Sequence, residues 1–187
     1  MKTIQQAHQT KDVVLFLDPV HQVHNVDNGY CWQLKGRVGT KTVLSNSGRQ
    51  RLTIIGALNV RTRKTTILTT QDNCDGPMMV SFLHEIRKDY PREKTVLIFL
   101  DNARYNHSKL VAEEAERLHI NLLFLPPYSP NLNIIERLWK FMKKKVTTNR
   151  YYQTFAELTE AIHDFFHTIE QHQSALDRLL TLKFEIL

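Results

Sequence analysis

Three acidic residues stand where this chain could do chemistry. Asp18 follows the apolar run VVLFL and Asp101 follows the apolar run VLIFL, so each of two predicted buried strands ends on a carboxylate. Glu136 lies at the start of an amphipathic segment that comes after a third apolar run, INLLFL. Functional groups of a sheet with parallel strands gather beyond the carboxyl ends of those strands. The sequence therefore predicts that the three carboxylates lie close together.

Close carboxylates imply a cation. Two bare carboxylates at short range repel, and at least one is driven toward protonation unless a cation shares the site. Oxygen ligands with few nitrogen ligands suit Mg²⁺ or Mn²⁺. Asp18, Asp101 and Glu136 are predicted as catalytic residues and metal ligands. With two ions about 3.5 to 4 Å apart, such a site holds the attacking and leaving oxygens of a phosphoryl transfer.

Each acid also has a purely structural interpretation. Asp18 before Pro19 and Asp101 before Asn102 are typical turn formers. Glu136 follows Asn133 by three residues, which fits a helix N-terminal cap with its reciprocal acid. Taken singly, these structural roles are favoured; the occurrence of all three acids where one fold could join them, beside basic stretches that no cap requires, favours the site.

The basic residues are concentrated in two stretches without Asp or Glu, residues 28–71 and 137–156. Such clustering is typical of a phosphate-backbone partner. From charge alone, a solvated basic surface without a partner explains it equally well. The residues predicted to bind DNA are Lys35, Arg37, Lys41, Arg49, Arg51, Arg137, Lys140, Lys143, Lys144 and Lys145.

The apolar pattern predicts an α/β fold with a mixed sheet. A strand at 13–17 precedes two β-branched strands, LTIIGALNV and TTILTT, in what reads as an antiparallel meander. The later runs, TVLIFL and INLLFL, are continuously apolar and separated by a helix, as in parallel strands covered on both faces. That helix is predicted around 107–118, with an inward face of Leu110, Val111, Ala115 and Leu118.

Helical periodicity marks three further segments. One begins after NCDGP, one carries an apolar face from Ile134 to Val146, and the last begins at a capping box formed by Thr154 and Glu157. The 187 residues, 42% of them hydrophobic, suffice for one well-cored domain. We predict a single domain over 1–187, with a core at about 12–148 and C-terminal helices at 154–182.

Composition excludes several classes of protein. No apolar run approaches the ~18 residues of a membrane span, and the first residues lack the apolar core of a signal peptide. The two cysteines, Cys31 and Cys74, have no CxxC spacing, so neither a zinc ribbon nor a disulfide framework is predicted. The HQVH pair, His21 and His24, is weak evidence for a metal site, and a structural or substrate contact is preferred. These features predict an intracellular protein.

Two segments together resemble a known family. FLDNARYNHSK, followed by LFLPPYSPNLNIIERLWKFMKKKV, resembles the catalytic domain of bacterial insertion-sequence transposases of the mariner-like superfamily, the DDE endonucleases. Thirty-four residues separate Asp101 from Glu136, which is the spacing that this family uses between its second and third acids. The likeness runs from about residue 12 to the C-terminus.

The resemblance implies a ribonuclease H-like fold, with a mixed five-stranded sheet, flanking helices and a helical C-terminus. It implies that Asp18 bridges two divalent ions, Mg²⁺ or Mn²⁺, while Asp101 and Glu136 each bind mainly one. The loop PPYSPNLN would position Glu136, and Asn102 would support the site from behind the ligands. The implied activity is metal-dependent cleavage of double-stranded DNA at transposon ends, followed by strand transfer into target DNA.

Two departures from the family pattern matter. Many relatives have an acid directly after the first Asp, whereas this chain has Pro19, which leaves His21 or water to fill any role there. About a dozen residues precede the first strand, so the N-terminal helix-turn-helix module of such transposases is expected to be absent. Recognition of the transposon end is then missing, lost by truncation, or supplied by a separate DNA-binding polypeptide.

The resemblance further implies assembly as a homodimer on DNA, in the nucleoid-associated cytoplasm of a bacterial or archaeal cell. Two alternatives stay open. One is a ribonuclease H-like nuclease that acts on RNA–DNA hybrids or junctions. The other is an inactive relic that keeps the fold and the basic surface and acts only as a DNA-binding or interaction module. The presence of all three acids argues against the relic.

Overall fold

The computed structural model describes residues 12–29, 32, 42, 44–127 and 132–181. Five strands form one sheet in the order β3-β2-β1-β4-β5. β1 pairs antiparallel with β2 and parallel with β4, while β2 pairs antiparallel with β3 and β4 pairs parallel with β5. The predicted mixed sheet is confirmed. The strands are β1 Val13–Val23, β2 Arg51–Asn59, β3 Thr65–Thr70, β4 Val96–Leu100 and β5 Ile120–Phe124.

Helices cover both faces of this sheet, in two apolar layers. Helices α3 and α4 pack with the even-numbered β1 residues Val14 and Phe16, and α1 and α2 pack with Leu15 and Leu17 on the opposite face. This alternation follows from the two-residue repeat of side chains in a strand. The helices are α1 Gly76–Lys88, α2 Lys109–Arg117, α3 Ile135–Val146, α4 Phe155–His167 and α5 Gln173–Leu179, with short 3₁₀ turns at Arg104–His107 and Ile169–His172.

The first strand is longer than predicted. β1 was expected to end at residue 17, but it continues through Asp18 to Val23 because β2 pairs with it along this whole length. Asp18 therefore lies inside a strand, and the prediction that it ends one is wrong. The parallel pairing of β1 with β4 does stop at Phe16, so β1 and β4 separate just before Asp18.

Pro19 is tolerated inside β1 because its nitrogen faces the side where no strand pairs. The bonds from Val60 N to Val14 O and from His24 N to Gln50 O show that the even-numbered residues of β1 bond to β2. The backbone of Pro19 therefore faces β4, whose pairing with β1 has already ended. A missing N–H costs no ladder bond at such a position.

The helices follow the predicted pattern with one error. Leu110 was expected to point inward, but it is 49% exposed, whereas Val111 and Ala115 are buried. The error arises because a 3₁₀ turn precedes α2 and Ser108, rather than His107, caps the helix through its hydroxyl. The predicted capping box of Thr154 and Glu157 is confirmed at the start of α4. Within the described residues, no helix is long and apolar enough to cross a membrane.

Candidate active site

The strand register brings Asp18 and Asp101 to the same level of the sheet. Phe16 pairs with Phe99 in the parallel ladder, and each aspartate follows two residues later in its own strand direction. Adjacent strands lie about 4.8 Å apart, so Asp18 and Asp101 each follow one member of a closely spaced pair, Phe16 and Phe99. Phe16 and Phe99 both lie on the α3 face, and side-chain alternation gives the aspartates that same face.

The Asp101 carboxylate is held on one oxygen. Its Oδ1 accepts a hydrogen bond from Asn106 Nδ2 at 3.0 Å and another from the Ala103 backbone N–H at 3.2 Å. The contact with Ala103 is the turn role that the sequence suggested for this residue. Asn106 is 1% exposed and fixed at the following 3₁₀ turn. Within the described residues no hydrogen bond reaches Oδ2, so that oxygen is open to a ligand.

The Asp18 carboxylate is also held on one oxygen, in this case by a residue of helix α3. Its Oδ2 accepts a hydrogen bond from the indole N–H of Trp139 at 3.2 Å. Trp139 lies on α3 and is 4% exposed, so the donor is fixed by the core. No hydrogen bond reaches Asp18 Oδ1 from the part of the chain that the structure describes. Both aspartates therefore have one held oxygen and one open oxygen.

A glycine in β2 makes room for Trp139. Gly56 is the pairing partner of Asp18, and a Cβ at this position would lie 2.4 Å from Trp139 Cη2 and 2.8 Å from Cζ2. Real Cβ atoms do not approach other atoms so closely, which means that any side chain here must move the indole ring. The strand interior disfavours glycine, and the close approach of the ring explains its presence.

Glu136 reaches the site from the first turn of α3. The predicted capping role of Asn133 is not observed, because α3 has no side-chain cap and Asn133 Nδ2 donates to Leu17 O at 3.2 Å. Asn133 is buried and ties the start of α3 to the point where β1 and β4 separate. The structural interpretation of Glu136 as the reciprocal acid of a cap is therefore wrong.

The charges of Asp101 and Glu136 act on Asp18. Burial, followed by the negative charges of Asp101 and Glu136, raises the pKa of Asp18 from 3.8 to about 7. The hydrogen bond from Trp139 opposes this shift. Burial also raises the pKa of Glu136, and the neighbouring Lys140 opposes that rise. Asp18 is therefore the carboxylate that most needs a positive charge nearby.

The donor set fits a hard divalent cation. Carboxylate oxygens are the ligands that Mg²⁺ and Mn²⁺ prefer. Two buried amide oxygens, Asn106 Oδ1 and Asn133 Oδ1, also lack a hydrogen-bond partner. The acids do not form a closed cage, because no group of three or more His, Cys, Asp or Glu among the described residues is placed to hold a metal ion.

Two residues predicted to support the site have other contacts. Asn102 Nδ2 donates to Leu125 O at 2.6 Å, which fastens the loop after Asp101 to the chain that follows β5. His21 Nδ1 lies 3.1 Å from Thr53 Oγ1 in β2. Burial and the positive charges of Arg51 and Lys143 lower the pKa of His21, so these two basic side chains lie near it.

The predicted DNA-binding residues are divided among several environments. Lys140, Lys143, Lys144 and Lys145 follow Glu136 along α3, and Lys145 lies 5.6 Å from the centre of the Phe141 ring. Arg137 Nη1 donates to Leu179 O and Thr181 O, so it anchors the chain after α5. Arg49 precedes β2, and Arg51, its first residue, bonds to Asn73 Oδ1. Lys35, Arg37 and Lys41 lie outside the described residues, as do residues 128–131 of the loop PPYSPNLN.

Three residues of the site were not assigned to it from the sequence. Asn106 was overlooked, and Asn133 was interpreted as a helix cap. Trp139 lies within the predicted apolar face from Ile134 to Val146, an interpretation as core that is correct but incomplete. The signal that would have identified the two asparagines is their burial, because a buried amide needs hydrogen-bond partners. No sequence pattern shows which atom a core tryptophan N–H will reach.

Asn106→Ala tests how far Asp101 depends on its support. Loss of the amide donor frees Asp101 Oδ1, and we expect the affinity for Mn²⁺ to fall by about 10- to 100-fold, the effect typical of residues that orient metal ligands. Calorimetric titration with Mn²⁺ checks this. Asn121→Ala, at an exposed position of β5, is the control and should keep the wild-type affinity. An unchanged affinity in folded Asn106→Ala would contradict the support role.

A mixed five-stranded sheet with helices on both faces and carboxylates at the ends of its parallel pairs defines a ribonuclease H-like domain. The family model described as DDE superfamily endonuclease matches residues 13–159. The chain therefore belongs to the DDE superfamily endonucleases, as predicted.

Curated relatives include mobile-element proteins. The chain is 26% identical to the insertion element IS630 uncharacterized 39 kDa protein of Shigella sonnei, over 83% of this chain and 45% of the relative. It is 33% identical to the transposable element Tc3 transposase of Caenorhabditis elegans, over 53% of this chain and 30% of the relative. The chain thus spans less than half of the length of these two relatives.

Solved structures confirm the fold. The catalytic domain of Mos1 mariner transposase is similar with a TM-score of 0.62 at 11% identity, covering 98% of this chain and 91% of that one. The Mos1 mariner paired end complex with Mn has a TM-score of 0.69 at 13% identity, covering 98% of this chain and 61% of that one. The solved structures thus confirm the predicted ribonuclease H-like fold, and the family match confirms the prediction of a DDE superfamily endonuclease domain.

Proposed function

We propose that this domain cleaves DNA at the ends of a mobile element and joins the released strand to target DNA, as a mariner-like insertion-sequence transposase. One observation carries the proposal. Asp18 and Asp101 face the same side of neighbouring strands, each with one oxygen held by a buried donor and the other open. Glu136 adds a third carboxylate whose charge acts on Asp18.

The proposed reaction has two displacements at one site. In the first, water attacks a phosphodiester at the element end, and the bond to the 3′ oxygen breaks to release a 3′-hydroxyl. In the second, that hydroxyl attacks a phosphorus atom of target DNA, and the bond from that phosphorus to its own 3′ oxygen breaks, which joins the two strands and releases a 3′-hydroxyl on the target. Asp18, Asp101 and Glu136 would hold two Mg²⁺ or Mn²⁺ ions, which when bound lower the pKa of water and stabilise the developing charge on phosphate. The chain's own part is to orient these carboxylates through Trp139 and Asn106.

The basic residues of α3 are proposed to bind the DNA backbone. Lys140 and Lys144 are exposed on the helix that carries Glu136, and Lys143 lies near His21 on β1. Flexible ammonium groups bind the phosphate backbone without reading sequence. Binding by this domain alone should therefore be weak, independent of sequence and strongly reduced by salt.

The assembly is also part of the proposal. Transposition joins two element ends, so we propose a homodimer on DNA, with a separate DNA-binding unit that recognises the end sequence. The similarity to an insertion element protein of Shigella sonnei supports a bacterial or archaeal source, with the DNA of the cell as the place of action. Apart from such a unit, we propose that residues 13–181 act as one catalytic domain.

The test is nicking or joining of a duplex that carries the end of the encoding element, with Mg²⁺ and with Mn²⁺. Asp101→Asn and Glu136→Gln should each lower the rate by at least about 10³-fold, because groups that act as a unit fail together. Glu113→Gln replaces an exposed acid of α2 and is the matched control. Circular dichroism shows whether each variant is folded.

Three results would contradict the proposed function. If the wild type binds DNA but never cuts it, even with the DNA-binding module of a full-length relative added in trans, the chain is an inactive relic. If cleavage occurs on RNA–DNA hybrids and not on duplex DNA, the domain is a nuclease of a different substrate class. If the two variants retain cleavage, the three-acid assignment is wrong.

A further inference from the structure

We propose that Trp139 is a positioning residue for the metal site, which orients Asp18 so that Oδ1 is presented to the ion. This inference rests on the proposed metal-dependent function. Its basis is the contact between α3 and β1, where the indole N–H donates to Asp18 Oδ2 at 3.2 Å. The carboxylate is thereby held at one oxygen and left open at the other.

The direction of the donor is fixed by packing on both sides of the indole. One side lies against the backbone of Gly56, where there is no room even for a methyl group. Another lies edge-on to Phe166, with ring centres 6.1 Å apart and planes at 78°. Trp139 is 4% exposed, so its ring has no free space in which to turn. A donor fixed in this way restricts the rotamers of its acceptor.

The chemistry of the donor also suits a cation site. An indole N–H donates and does not accept, and it carries no charge. A Lys or Arg in the same place would orient Asp18 equally well, but its positive charge would compete with a metal ion for the carboxylate. Asn106, a second neutral donor, holds Asp101 in the same way. The site thus orients both aspartates without neutralising either of them.

Trp139 also links Asp18 to the third acid. Glu136 and Trp139 are three residues apart on α3, so their side chains lie on neighbouring positions of one helix face. The same helix begins beside Leu17, through Asn133. A shift of α3 therefore moves Glu136 and Trp139 together. Trp139 is thus the contact that keeps the three carboxylates in a fixed position relative to one another.

The first test uses the fluorescence of Trp139 itself. The chain has two tryptophans, and Trp32 is fully exposed, so Trp32→Phe leaves Trp139 as the only tryptophan, whose emission is selected over that of the tyrosines by excitation at the red edge of the absorption band. Titration with Mn²⁺, a paramagnetic quencher, without DNA should lower the emission in a saturable manner. In the same background Asp18→Asn should remove the saturable phase. Emission that does not change while Mn²⁺ binds, measured by calorimetry, would overturn the inference.

The second test uses Trp139→Phe, which keeps an aromatic ring and removes the donor. Its Mn²⁺ affinity, measured by calorimetry, should fall by about tenfold, as for other residues that hold a metal ligand. Phe141→Leu is the matched control, since Phe141 lies on the same helix and packs on Phe165 and His172 rather than on Asp18. That variant should keep the wild-type affinity.

Activity then separates positioning from packing. Cleavage by Trp139→Phe should recover toward the wild-type rate as the Mn²⁺ concentration is raised, because the defect lies in metal affinity. A folded variant whose affinity is unchanged, or whose cleavage defect persists at saturating Mn²⁺, would overturn the inference. If the wild type binds no Mn²⁺ at all, the proposed metal-dependent function fails, which is a different result from normal Mn²⁺ binding that Trp139 does not affect.

Discussion

Asp18→Asn is expected to stabilise the metal-free domain at pH 8 while abolishing DNA cleavage. Burial and the charges of Asp101 and Glu136 raise the pKa of Asp18 from 3.8 to about 7 in the folded chain. Between these values the folded state binds more protons than the unfolded state, so stability falls as the pH rises. Above pH 7 the full penalty is present, on the order of 4 kcal/mol for a shift of this size. Asparagine carries no charge and escapes it.

Denaturant unfolding at pH 4 and pH 8, without divalent ions, checks the stability part. The variant and the wild type should be similar at pH 4, where Asp18 is protonated in the folded state, and the variant should be more stable at pH 8. Asp164→Asn, at an exposed position of α4, is the control and should change stability by less than about 0.5 kcal/mol at either pH. A gap that is equal at both pH values would contradict the electrostatic origin.

The expected effect of Asp18→Asn on DNA cleavage is opposite to its effect on stability. Asp18 is the proposed bridging ligand, and an amide cannot replace a carboxylate between two cations, so cleavage should fall below detection in Mg²⁺ and in Mn²⁺. A stabilised but inactive variant would show that this carboxylate is retained for its chemistry at the expense of stability, as is common at catalytic sites. Full cleavage by the variant would exclude Asp18 from the metal site.

Gly56→Ala is expected to damage both the fold and the site. The new Cβ would lie 2.4 Å from Trp139 Cη2, so the indole must move away from β2 and withdraw its N–H from Asp18. Overpacking of a dense core costs about 1–3 kcal/mol. Thermal unfolding and cleavage rates check both effects. Gly76→Ala is the control, because the nearest atom to its Cβ is Ser108 Oγ at 3.3 Å, near the surface.

A double-mutant cycle identifies the cause. Trp139→Phe removes the two ring atoms that the new Cβ would meet, so Gly56→Ala should cost much less stability in that background than in the wild type. The coupling free energy should be in the range of about 0.5–3 kcal/mol that contacting residues show. Cleavage at a limiting Mn²⁺ concentration should stay low, because the double variant still lacks the indole N–H. Additive stability effects would mean that Gly56 is required for some reason other than Trp139.

The fold was largely predictable because its apolar runs have the lengths and periods of the elements that they form. TVLIFL and INLLFL both form parallel strands, as their continuous apolar runs predict. β4 is buried as expected, whereas β5 lies at the edge of the sheet with Asn121 and Phe124 exposed, so the prediction that it is covered on both faces is wrong. The error in β1 has a physical cause, since Pro19 reads as a strand end. The sequence does not show that the proline nitrogen would face the one side of β1 where no partner pairs.

The candidate site was predictable in its acids and less so in their supports. Acids at the ends of apolar runs are visible because a charge after a buried strand is unusual. Asn133 and Trp139 could not be assigned because their partners are 116 and 121 residues away along the chain. These two contacts depend on how α3 docks on the sheet, and local sequence patterns do not show docking. Asn106 lies only 5 residues from Asp101, and what the sequence does not show there is the 3₁₀ turn that brings the two side chains together.

Pro19 also affects which ions can approach the site. β1 and β4 separate after Phe16, and from there the odd-numbered backbone groups of β1 face the gap beside Asp18 and Asp101. At residue 19 this edge offers a carbonyl oxygen and no N–H. Backbone N–H groups bind anions, so phosphate or chloride finds no N–H donor at residue 19, beside the two carboxylates. At this position the backbone edge beside the two carboxylates therefore presents an acceptor for a cation and no donor for an anion.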